Sequence, residues 1–188
     1  MPPYVLRLIV QEHRALGAVL RALDEQIAQA HRPGAQPDFA AMRAMLFYMN
    51  EVPARVHHSS ESELLFPCIR KRCPALSPVL ERLETEHARG ESAVRELEHG
   101  LMAWELMGDA RREAFEVQLQ AYADSYAGHM EVEERYVMPV ALDYLTPEDW
   151  LELEAGFRRQ RARFEPGHAC THRALFERII NRKRITEA

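Results

Sequence analysis

"HHSSESELLFP" runs from His57 to Pro67, and "HMEVEERYVMP" runs from His129 to Pro139. Aligned on their prolines, both read His-x-x-x-Glu-x-x-x-x-x-Pro, so His129 repeats His57 and Glu133 repeats Glu61 at a distance of 72 residues. Residues four apart lie on one face of an α-helix, about one turn from each other. Each stretch therefore presents an imidazole beside a carboxylate. Two "EH" dipeptides, Glu12-His13 and Glu86-His87, precede them, with His13 44 residues before His57 and His87 42 residues before His129. The chain reads as two helical hairpins in tandem. Each carries one histidine on its first helix and His-x-x-x-Glu on its second.

Helical periodicity continues on both sides of these stretches, and no β-branched alternation predicts a strand. The pattern predicts helices over about residues 3–30, 39–72, 78–106 and 110–142, with Asp38 as an N-cap and breaks at "RPGAQPD", "CPALSP" and "GDAR". "LTPEDW" predicts a further start, with Thr146 as N-cap and Pro147 in the first turn, running to Phe164. A short tail helix is expected after "EPGH", ending near Asn181. The apolar seams run Ile9, His13, Leu16, Leu20 in the first helix and Phe47, Asn50, Ala54, His57, Glu61, Leu64 in the second. They continue with Leu80, Leu83, His87, Gly90, Val94 in the third and Tyr126, His129, Glu133, Tyr136, Val140 in the fourth. Four long seamed helices with short connections predict an all-α protein built on an antiparallel four-helix bundle, with extra C-terminal helices. Residues 1–145 are expected to form the bundle and 146–188 an extension packed on it.

At 188 residues, with 47% hydrophobic and 28% charged residues, the chain has the length and composition of one globular domain. A net charge of -5 names no partner. No apolar run suits a bilayer and no signal peptide is visible, so the expected location is the cytoplasm and no membrane partner is expected. Cys68, Cys73 and Cys170 show no C-x-x-C spacing, which speaks against a disulfide framework and a zinc ribbon. Reduced thiols are the expectation.

Every seam places a histidine or glutamate where an apolar residue belongs. Facing hairpins would gather four imidazoles and two carboxylates inside the bundle. A carboxylate in a hydrocarbon seam is costly unless paired or metal-bound. The alternative is a metal-free polar network that includes Asn50 and the tyrosines. Calcium and magnesium prefer all-oxygen shells, and structural zinc prefers four ligands, often thiolates. Nitrogen and oxygen donors shared between two metals suit non-haem iron, with manganese behind it and zinc also left open. Glu-x-x-His occurs at Glu84/His87 and Glu96/His99, but both copies sit on one helix and cannot enclose a ferritin-type centre.

The order His…His-x-x-x-Glu…His…His-x-x-x-Glu, with "EH" openings and "LFP" and "VMP" endings, resembles the hemerythrin-like HHE cation-binding domain over about residues 5–142. The resemblance implies a di-iron centre with a bridging oxygen. It implies His13, His57, His87 and His129 as terminal ligands and Glu61 and Glu133 as bridging carboxylates. About one position on each iron would then stay open for a diatomic ligand or peroxide. Oxygen-carrying hemerythrins have a further histidine one turn along the third helix, where this chain has Glu91. Four histidines with two glutamates resemble more closely the bacterial type that repairs iron–sulfur centres.

His58, Glu63 and Glu134 are assigned to other helix faces. Gly90 either leaves room for a small ligand or lets helices pack closely. Tyr126, one turn before His129, is either a hydrogen-bond donor to a bound oxygen species or a core tyrosine. Pro53, four residues before His57, is expected to kink the helix and aim that histidine. From Gly156 to Ala188 there are nine arginines and lysines against three acids. This basic tail is expected to pack on the acidic bundle rather than bind nucleic acid, and His168 and His172 are not expected to bind a metal.

Three functions follow. The first is a non-enzymatic di-iron protein that binds or senses oxygen, nitric oxide or peroxide, or handles iron under such stress. The second is a di-iron oxidoreductase, or an iron–sulfur repair protein, acting at the same centre. The third is an interaction module with a structural metal. The sequence favours the first and leaves open an unidentified redox or protein partner. No nucleophile triad or phosphate-binding glycine loop favours another enzyme class.

Overall fold

The computed structural model describes residues 2–164 and 176–177, with only the backbone for residues 52–55 and 164. Four long helical rods form the bundle. The first is α1, Tyr4–Ala30. The second joins α2, Phe39–Met49, through π-helical turns at Asn50–His58 and Glu61–Leu65, to α3, Phe66–Arg72. The third is α4, Ser77–Met107. The fourth joins α5, Arg112–Val132, through a π-helical turn at Glu133–Val137, to α6, Met138–Tyr144. A further helix, α7, spans Pro147–Phe164. No strand occurs among the described residues.

Local chemistry sets the boundaries. The Asp38 carboxylate accepts from the Ala41 amide at 2.9 Å, capping α2. Gly108 ends α4 at φ 80°, a backbone angle that favours glycine. Thr146 and Asp149 cap α7 reciprocally: the Thr146 amide donates to Asp149 at 2.9 Å, and the Asp149 amide donates to the Thr146 hydroxyl at 3.3 Å.

The π turns were not visible in the seams, yet each lies against a proline. Pro53 falls inside the first, and Pro67 and Pro139 lie two residues beyond the ends of the second and third. Proline has no N–H for the i−4 carbonyl, so the ladder loosens there and accommodates an extra residue in a turn. The side chain of Pro53 lies outside the described residues. The extra residue shifts the seam. After Glu61 and Glu133 the next buried positions are Leu65 and Val137, not Leu64 and Tyr136, and Tyr136 is 59% exposed. Phe47, also assigned to a seam, is half exposed, and Leu46, Tyr48 and Met49 are buried instead.

Two apolar clusters fill the interior. One gathers Leu16, Leu23, Leu46, Leu97, Trp104 and Phe115 with their neighbours. The other gathers Ile9, Phe66, Leu80, Leu83, Val137 and Phe157 with theirs. Their separation follows α1, where Ile9 belongs to one and Leu16 to the other, with His13 between. Burying one such leucine stabilises the fold by about 1.5–3 kcal/mol.

α7 lies against α1 and the second rod. Phe157 is buried, and a Cβ on Gly156 would meet Leu64 at 3.1 Å, so glycine permits the close approach. Gln160 donates to Glu63 at 3.2 Å, the Arg158 guanidinium sits 4.3 Å over the Tyr4 ring, and Arg72 pairs with Asp149 through two bonds of 2.8 and 3.0 Å. Beyond Phe164 only Phe176 and Glu177 are described, with the Phe176 ring 5.8 Å from that of Tyr48. "NRKR", His168, His172 and Cys170 lie outside the described residues. Cys68 and Cys73 are both free. Among the described residues no helix is long and apolar enough to cross a membrane.

Candidate metal centre

The polar layer between the two apolar clusters holds the seam histidines and glutamates, all six buried. His13 comes from α1, His57 and Glu61 from the second rod, His87 from α4, and His129 and Glu133 from the fourth rod. Their donor atoms fall into two groups of four, His13, His57, Glu61, Glu133 and Glu61, His87, His129, Glu133, each with its atoms within 4.8 Å of one another. Both carboxylates belong to both groups.

Each of these imidazoles is anchored from outside through Nδ1. His57 donates to Glu12 at 2.9 Å, His129 to Glu86 at 3.0 Å and His13 to Glu134 at 2.8 Å. Nδ1 of His87 lies 2.9 Å from the Ser62 hydroxyl. An ionised carboxylate only accepts, so the three rings held by glutamate carry their proton on Nδ1 and turn Nε2 inward. The anchors obey the sequence repeat. The glutamate of each "EH" dipeptide holds the second histidine of its own hairpin. The residue after each seam glutamate, Ser62 or Glu134, holds the first histidine of the other hairpin. This assigns work to Glu134, which the sequence pattern set aside. Glu63 instead meets Gln160, and Glu84 pairs with Arg70 at 2.6 and 3.0 Å, away from the centre.

Inside, electron-rich atoms crowd together. Nε2 of His87 and of His129 share a hydrogen bond of 3.1 Å, whereas Nε2 of His13 stands 3.0 Å from Glu133. His57 and His129 approach Glu61 and Glu133 at 3.4 and 3.2 Å. No hydrogen bond satisfies Nε2 of His13 or His57, Oε2 of Glu61, or either oxygen of Glu133. Such atoms repel one another unless positive charge lies among them.

In the bare chain the layer favours protons on His13, His129 and Glu61. Burial alone would lower His13 and His129, but Glu133, helped by Glu134 and Glu86, raises both above the ordinary imidazole value. Burial pushes Glu61 well up, reinforced by the neighbouring Glu133 carboxylate. Against its own burial, Glu133 is held well down by His129, His13 and His87. Buried imidazole nitrogens and carboxylate oxygens, anchored outside and orphaned inside, are a donor set that fits cations.

The comparison with known families agrees with this chemistry: residues 4–141 match the Hemerythrin HHE cation binding domain. The chain belongs to that family. As a hemerythrin-like domain it is a helical metal-binding bundle with a buried His/Glu cluster. No curated protein matches the chain. α7 lies beyond the matched residues, yet it reaches the hemerythrin-like core. Arg161 donates to Glu12, whose other oxygen holds His57. Burial would raise the Glu12 carboxyl, but His57 and Arg161 hold it below its usual value.

One expectation is corrected at His58. It does not face another side of the helix. It is buried, and its ring stacks on His87 with centroids 4.1 Å apart and planes at 10°. The π turn that ends at His58 packs more residues into each turn, which leaves His57 and His58 both on the inner side. The His-His dipeptide was the available signal. Burial, then the imidazoles of His87, His57 and His129, push His58 well below its ordinary value, so its ring is neutral.

Beside His58 a cavity of about 250 Å³ opens between α4 and α5. His58, His87, Tyr126 and His129 line it, with Gly90 on the α4 side. A Cβ on Gly90 would meet no heavy atom within 4 Å, so close packing is not its purpose. The exposed residues Arg89, Gln118 and Ser125 also line the cavity, which therefore reaches the surface. Tyr126 is buried, its ring 6.0 Å from that of His129, and burial raises its hydroxyl well above the usual value.

Proposed function

We propose that this chain is a cytoplasmic, non-haem di-iron protein that binds or senses a small oxidant, or handles iron under oxidative or nitrosative stress. His13 and His57 would hold one iron and His87 and His129 the other, with Glu61 and Glu133 shared between them. Iron, when bound, supplies reversible one-electron chemistry and an open position for a small ligand. The chain fixes the rings through Glu12, Glu86, Glu134 and Ser62, turns Nε2 inward, and surrounds the centre with two apolar clusters. The observation that carries the reading is that both carboxylates are common to both donor groups while the imidazoles divide in two pairs. We also read residues 1–145 as the metal-holding unit and 146–188 as an extension packed on it, which the contacts of α7 support.

Metal analysis with absorption spectra of the anaerobically reduced protein, before and after oxygen or nitric oxide, tests this. Two irons per chain and a ligand-dependent visible band are expected. Glu61→Ala is expected to lose iron and the band together. A protein isolated with zinc alone, spectrally silent to both gases, would sink the reading, and retention of two irons by Glu61→Ala would sink the ligand assignment. A turnover oxidoreductase is the second reading, favoured by the surface-connected cavity, which admits a reductant as well as an oxidant. Repeated reduction of oxidant under steady reductant, rather than one stoichiometric reoxidation, would select it.

A further inference from the structure

Among the described residues the four anchored histidines leave one buried imidazole unassigned. His58 is 6% exposed, and neither of its ring nitrogens has a hydrogen-bond partner. A neutral imidazole always carries one N–H donor and one lone pair, and a buried donor without a partner costs about 1–3 kcal/mol. A molecule that enters through the adjoining cavity is placed to satisfy it.

Two facts separate His58 from the proposed ligands. A metal-binding imidazole is normally oriented by a hydrogen bond at its other nitrogen, and all four anchored rings have that bond while His58 has none. Its nitrogens also share a 4.8 Å cluster with His87 and His129 that includes neither Glu61 nor Glu133. His58 therefore addresses a point off the carboxylate-shared centre, on the cavity side of His87 and His129. The cavity there measures about 250 Å³, whereas one water occupies about 30 Å³. It continues past Gly90 to the surface.

We propose that His58 forms the wall of a small-anion subsite beside the metal centre, donating a hydrogen bond to the outer atom of a ligand that enters between α4 and α5. This rests on the metal reading above. The stacked ring of His87 fixes the plane of His58, so its N–H has a set direction before the ligand arrives. His58 binds ligand and not metal.

Azide is the probe, titrated into the metal-loaded full chain while metal content and visible absorption are read. His58→Phe keeps a flat ring on His87 and removes both nitrogens. It should retain the metal content of the parent and bind azide about tenfold more weakly, the loss of one hydrogen bond. His58→Gln, which restores a donor, should recover most of that affinity, a rescue that a purely structural role would not give. Gly90→Leu fills the groove from α4 and should slow azide association about tenfold or more.

Loss of metal from His58→Phe would make His58 a ligand and overturn the inference, as would unchanged azide affinity. If His58→Phe does not fold, His58→Gln and Gly90→Leu decide: metal loss in the former or an unchanged association rate in the latter overturns it. A parent protein that holds two cations but ignores azide overturns the subsite and leaves the metal reading standing. A parent that holds no metal removes both.

Discussion

Ser62 and Glu134 occupy the same place in the two repeats, one residue after the shared carboxylates, yet one anchor is neutral and the other charged. His13 and His57 are both held by carboxylates, whereas His87 is held by a hydroxyl. A carboxylate on Nδ1 makes Nε2 a stronger donor, so on the proposed assignment the group built on His13 and His57 is expected to bind its cation more tightly. A chelator is expected to strip the His87/His129 cation first. Glu134→Ala should weaken the tighter site about 10–100-fold in a chelator competition; equal release of both cations in the parent would contradict this. The sequence displayed the six seam residues because a helix repeats every four positions. It did not display the anchors, whose partners are 25 to 121 residues away and depend on how the rods face. Glu12 and Glu86 were in view as the "EH" dipeptides, but nothing local distinguished them from solvated glutamates.

Proline placement governs the elements. Pro67 and Pro139 end both copies of the repeated stretch, and a π turn precedes each, beginning on the shared glutamate. The helix limits were legible because caps and breakers are local. The seam beyond each glutamate was not, because the inserted residue moves Leu65 and Val137 into the places assigned to Leu64 and Tyr136, and the same winding hid His58. At the next element, the Arg72 guanidinium and the Thr146 amide hold the Asp149 carboxyl down at about 2, below its ordinary 3.8. A depressed carboxyl stabilises the fold above its ordinary value, and that contribution disappears as pH falls through the depressed one. Asp149→Ala also removes a cap and should cost about 1 kcal/mol, or about 2–4 °C in Tm, near pH 6. Melting followed by circular dichroism should show the gap narrowing toward pH 2. A constant gap would mean that the charge contributes nothing.

Across the whole molecule a charged layer divides the hydrocarbon core, so the bare bundle is weakest at its middle. Metal that binds only the folded chain raises stability by about 2.7 kcal/mol when free metal stands 100-fold above Kd. For a protein of this size that is about 5–10 °C in Tm. Removing the metal should lower the melting temperature by that order while helicity at room temperature persists, measured on loaded and chelated samples. Identical melting curves would mean that the layer is held together without cations.

The Arg161 contact gives α7 a consequence beyond packing. A positive side chain rests on the acid that polarises His57, so lifting α7 would leave that acid's charge fully on the ring. The imidazole would then donate more strongly and favour the more oxidised metal. On the di-iron reading, whatever displaces α7 would shift the redox poise of the centre with no ligand touched.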